Sequence, residues 1–153
     1  KVLWLVTLFT LGHTLSLVLS AYGVIRVNVG LVEFLIPVTI AFAAFYNAFT
    51  AGKTAKSNRY GVLYALTLIF GIIHGLGFSN YFKMMAPNDD TFLPLLGFAL
   101  GVEAAQIVVV FIVLLLSVLF QTVFRFNKRD WTLFMSAVVI GVVIPMLIST
   151  WPW

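Results

Sequence analysis

Two histidines and one glutamate stand inside apolar stretches of this chain, and theirs is the chemistry a function could use. His74 lies in Phe70-Gly71-Ile72-Ile73-His74-Gly75-Leu76-Gly77-Phe78, an imidazole among three glycines. His13 follows Thr10 and precedes Ser16 and Ser20, and Glu103 is followed one turn later by Gln106. An ionisable residue in such a run is a functional-site candidate by default, because its charge is costly away from water. Gly71 and Gly75, one helical turn apart, strip away side-chain bulk so that a neighbouring helix or a ligand can approach the backbone, and Gly77 extends that small surface. Imidazole and carboxylate together allow two solutions. Either a proton is shared among His13, His74 and Glu103, or a divalent transition metal bridges them, with Gln106 beside it. Nitrogen and oxygen donors suit nickel, cobalt, zinc or copper(II). Cysteine is absent, which removes disulfides, thiolate metal sites and iron-sulfur clusters.

The elements that must hold these residues follow from composition. Of 153 residues 62% are hydrophobic and 9% charged, with mean hydropathy +1.10; an ordinary soluble domain carries about 25% charged residues. The apolar residues come in runs of roughly 20, the length of a helix crossing about 30 Å of hydrocarbon, and not in the short alternating segments of a barrel. The chain reads as one all-α transmembrane domain, 1–153, a polytopic bundle in a lipid bilayer with spans at about 2–22, 31–49, 60–82, 92–124 and 131–150. Thr10, His13, Ser16 and Ser20 share a stripe on the first span that should face protein. Glu33 lies within a turn of the start of the second and reads as reaching the interface. Gly97, Gly101 and Ala105 form a small-residue packing face on the fourth, with Glu103 and Gln106 turned nearly the opposite way. Trp151 and Trp153 read as interfacial anchors.

With five spans, Lys1, the loop bearing Lys53, Lys56 and Arg59, and the loop bearing Arg125, Lys128 and Arg129 share one side, leaving Arg26 and Lys83 on the other. That asymmetry predicts a cytoplasmic Lys1 end and an external Trp153 end. Counted from the external end of each span at about 1.5 Å per residue, His13 is about 14 Å deep, His74 about 12 Å and Glu103 about 15 Å. The three therefore share one layer near the bilayer midplane, and the expectation is that they converge on one pocket.

Plainer readings stand beside these. A lone intramembrane histidine can be satisfied by a hydrogen bond across helices, and the glycines can be packing alone. Met84 and Met85 read as interfacial apolar residues, and Asp89 and Asp90 as a solvated loop that could concentrate cations at a mouth. The basic loops report topology and not nucleic-acid binding, for which there is no motif. No nucleophile-base pair, phosphate loop or H-E-x-x-H spacing supports an enzyme. The chain starts at Lys1 without a methionine, which reads as a fragment or a processed chain.

The segments Phe9-Thr10-Leu11-Gly12-His13-Thr14-Leu15-Ser16-Leu17, Phe70 to Phe78 and Gly97-Phe98-Ala99-Leu100-Gly101-Val102-Glu103-Ala104-Ala105-Gln106 resemble the HupE/UreJ family of small bacterial membrane proteins, generally regarded as nickel or cobalt permeases. The resemblance covers the first four spans. It implies a multi-pass protein of the bacterial inner membrane performing secondary transport of a divalent metal, with His13, His74 and Glu103 on the pathway. It further implies an earlier helix carrying metal-ligating histidine and aspartate, which nothing before Lys1 supplies, so that six spans are expected in the whole.

The expectation is thus a metal-ion permease with no covalently bound cofactor, holding a hydrated divalent ion between neutral imidazoles and an ionised carboxylate while helices rock to alternate access. Since ligands must be deprotonated, uptake should weaken below about pH 6.5. Competing classes are a subunit holding a b-type haem between His13 and His74, and a non-transporting partner in a larger membrane complex or homo-oligomer.

Overall fold

The computed structural model describes residues 2–53, 58–85 and 92–152. Readings attached to Lys1, Lys56, Asp89, Asp90 and Trp153 lie outside the described residues. Five helices make up the fold: α1 Val2–Ala21, α2 Val29–Thr50, α3 Asn58–Met85, α4 Phe92–Val123 and α5 Lys128–Ser149. Each contains a stretch long and apolar enough to cross a membrane. Their ends fall within three residues of the predicted spans.

Local sequence sets those ends. Gly23 (φ +72°) and Gly52 (φ +78°) take the left-handed conformation that closes the turns after α1 and α2. Asn28 and Asn127 cap α2 and α5, their side-chain oxygens accepting from the backbone N–H of Leu31 (3.2 Å) and Asp130 (2.9 Å). Pro37 and Pro145 sit inside helices, where each removes one backbone donor.

The centre of the bundle is the pair α1 and α3, which run parallel with their backbones in contact. A Cβ added at Gly71 would collide with the carbonyl of Phe9, one at Gly75 with the carbonyl of His13 and the hydroxyl of Ser16, and one at Gly12 with the backbone of Leu68 and Ile72. Bilayer helices gain little from hiding apolar surface against each other, so approach of this closeness is what holds the pair. The stripe predicted to face protein does so: Thr10, His13, Ser16 and Ser20 are all buried.

α2 packs antiparallel on α3 and on α5, while α4 touches mainly α1 and α5. Leu95 is the buried residue of α4 and joins Leu17 and Phe82 in a small core against which Val18, Ala21 and Phe98 pack. At its far end α4 meets α5 through the rings of Phe120, Phe124, Phe126, Trp131 and Phe134. One sequence expectation is corrected here. Gly97 and Gly101 have no neighbouring atom within 4 Å of where a Cβ would stand, and both are exposed. Their spacing does promise a packing face, but α4 meets α1 along other residues and turns these two glycines outward.

Candidate functional site

α1 brings His13 to the middle of the bundle, and Gly75 fixes it there, because the absence of a side chain lets the His13 carbonyl rest on α3. The Ser16 hydroxyl donates to that same carbonyl at 3.0 Å. The His13 ring is stacked between Phe9 (centroids 6.1 Å apart) and Phe98 (5.9 Å), with Phe78 tilted against it at 5.6 Å. It is 1% exposed, and among the described residues neither Nδ1 nor Nε2 has a hydrogen-bond partner. Leaving a buried polar group unpaired costs about 1–3 kcal/mol. Backbone contact and three aromatic rings hold the side chain in that condition.

His74 also meets Phe9, edge-on to its ring with centroids 5.1 Å apart. Its Nε2 is 3.4 Å from the Thr39 hydroxyl on α2, and that hydroxyl donates its one proton to the Ile36 carbonyl at 2.7 Å. With that proton committed, Thr39 can accept from an Nε2–H, an arrangement that leaves the Nδ1 lone pair free. A hydrogen bond of this kind from the far nitrogen is how metal-binding histidines are oriented.

Both imidazoles line one cavity of about 520 Å³, together with Phe9, Phe78 and Gln106. The Thr10 hydroxyl lies 2.9 Å from Gln106 Oε1 and 3.1 Å from the Val6 carbonyl, so Gln106 is tied to α1 while its amide oxygen retains a second lone pair. From the histidines the cavity runs along α1 to Val2, about 17 Å at the helical rise. On the other side of the histidines Phe78, Phe82 and Phe98 contact one another beside Leu17 and Leu95. The cavity wall is mostly apolar, and the donor atoms are gathered at its inner end.

Glu103 departs from the expected convergence. It is half-buried and does not line the cavity, whose α4 wall is Val102, Ala105, Gln106, Val109 and Val110. At about 100° per residue Glu103 points roughly a quarter turn away from the middle of that wall. Among the described residues no group of three or more histidine, aspartate or glutamate side chains could hold a metal ion. The shared depth of His13, His74 and Glu103 says nothing about direction around the helix axis. Ala105 and Gln106, assigned from the sequence to opposite faces, line the cavity together.

Thr39 escaped the sequence reading although it carried a signal. It is eight residues into the second predicted span, about 12 Å deep, the same depth as His74. Extending the depth comparison from ionisable to hydroxyl side chains would have paired them. Phe9 and Phe98, which sandwich His13, carry no comparable mark in a chain with 15 phenylalanines.

Fold and site together define a multi-pass helical membrane protein with its two imidazoles gathered at one cavity. More specifically, a family model described as HupE / UreJ protein matches residues 1–151, and the chain belongs to that family. No curated protein and no solved structure matches the chain.

Proposed function

We propose that this protein is a permease for a divalent transition-metal ion, nickel or cobalt before zinc or copper, and that His13 and His74 receive the ion at the inner end of the cavity. The general association of the HupE/UreJ family with nickel and cobalt transport supports the substrate class. The observation that carries the site is His13, buried to 1% exposure with both ring nitrogens unpartnered. His74 presents Nδ1, Gln106 an amide oxygen, and water fills the remaining positions. A set this sparse suits an ion that must leave again, since conduction requires binding strong enough to admit it and weak enough to release it.

The cavity is open along α1 toward Val2 and blocked beyond the histidines by Phe78, Phe82 and Phe98, a one-sided arrangement of the kind alternating access requires. At the open end the turn after α2 and the first turn of α5 meet, Gly52 lying against the side chain of Arg129. Clustered positive charge there favours the cytoplasmic side, so this conformation is inward-facing in the bacterial inner membrane. Glu103, at the same depth, is a ligand of another conformation, reached by turning the sparsely packed α4 roughly a quarter turn.

The test is uptake of radioactive nickel and cobalt by cells expressing the full-length protein. His13→Ala and His74→Ala should each lower the initial rate by ~10-fold or more at unchanged membrane abundance. Wild-type rates in both variants would overturn the site.

A further inference from the structure

A second cavity, of about 310 Å³, lies on the far side of Phe78, between α2, α3 and α5. Its wall includes Glu33, Pro37, Phe78, Tyr81, Met146 and Thr150. Glu33 is half-buried, and among the described residues no positively charged side chain lines the cavity with it. Pro37 has no N–H to give the carbonyl four residues earlier, which is that of Glu33 itself. One residue thus contributes a carboxylate and a carbonyl oxygen lacking its helical hydrogen bond. The Thr150 hydroxyl, whose proton goes to the Met146 carbonyl at 2.7 Å, keeps its lone pairs, and the Tyr81 phenol and the Met146 thioether are further donors on the wall.

The cavity is in register with the histidines. α2 and α3 run antiparallel, with Thr39 beside His74, Ile36 against Gly77, and Glu33 and Tyr81 in one cavity wall. Glu33 and Thr39 are six residues apart, which puts the carboxylate about 9 Å above the imidazole along the bundle. Phe78 belongs to the walls of both cavities, and its ring touches both His13 and Tyr81. It is the partition between them.

We propose that the Glu33 cavity is a second cation site, a staging point that takes a hydrated divalent ion from the outer side and passes it around the Phe78 ring to the imidazoles. This rests on the permease reading for its destination but not for its own occupancy. A single carboxylate with neutral oxygens binds an ion that keeps most of its water, as an antechamber should. The imidazole nitrogens beyond then select the transition metal.

Equilibrium dialysis of the full-length purified protein against nickel, with the metal counted per chain, is the decisive measurement. Wild type should bind two ions, Glu33→Gln one, and the His13→Ala/His74→Ala double variant one. In liposomes Glu33→Gln should raise the KM for nickel by ~10-fold at nearly constant limiting rate, and Phe78→Trp should slow uptake with two ions still bound. A Glu33→Gln protein that binds two nickel ions overturns the proposal, as does a Glu33-dependent site filled by sodium and indifferent to nickel. Loss of the second ion in Glu33→Gln with no loss in the histidine variant would uphold the staging site and reject the imidazole site, so the two readings fail separately.

Discussion

α1 and α4 are both apolar helices carrying a polar residue near their middles, yet they are held in opposite ways. α1 lies backbone to backbone on α3 through Gly12, Gly71 and Gly75, and its polar stripe is buried. α4, at 32 residues the longest helix, leaves Gly97 and Gly101 facing open space and most of its surface outward. The difference teaches that a small-residue spacing is only an opportunity. Where the opposing helix brings its backbone to the glycines, they become the joint; otherwise they are merely small. The cavity wall on α1 and α3 is accordingly held by backbone contact, and the wall on α4 is not.

The largest expected effect breaks that contrast directly. Gly75→Leu forces α1 off α3 and should abolish recovery of folded, monodisperse protein from detergent extracts, whereas Gly101→Leu should leave the yield and the thermal midpoint near wild type. Equal damage from both would mean that α4 is as tightly held as α1. Next in size, Thr39→Val removes the acceptor that sets the His74 tautomer and should weaken nickel binding by ~10-fold with no loss of folded protein, as read by calorimetric titration. The smallest effect separates two neighbours on α4. Gln106→Ala should lower equilibrium nickel affinity by about threefold, in line with the ~0.6 kcal/mol typical of one polar contact between membrane helices, while Glu103→Gln leaves affinity alone and slows uptake. A larger affinity loss at Glu103 than at Gln106 would place α4 in the turned position at rest.

The sequence made the helices legible because their apolar runs are long and their interruptions are glycine, asparagine and charge. It also made depth legible, since counting residues from a span's end is a measurement along the axis. His74 and Thr39 prove to be at one level, and on α4 Phe98 meets His13 and Gln106 meets Thr10, with Glu103 between them in the chain. What it did not disclose was rotation. On α1 the alternation of Thr10, His13, Ser16 and Ser20 with leucines marks the inward face, and the structure buries that face. On α4 nearly every position is apolar, so little contrast between faces exists to read, and of Glu103 and Gln106, which the sequence places together on the face toward the histidines, Gln106 lines their cavity and Glu103 does not. The aromatic sandwich of His13 was hidden for a similar reason, as rings abound along the chain.

The contact of Gly75 with the His13 carbonyl has a mechanical corollary. Gly75 adjoins His74 in the chain, so the two imidazoles hang from main-chain segments that are already touching. If the pair holds an ion as proposed, its bite, in the language of chelates, is framed by a backbone contact that exists before any ion arrives. On the permease reading, release of the cargo would then fall to the surrounding helices withdrawing their contribution, with the histidine pair as the stator about which the others move.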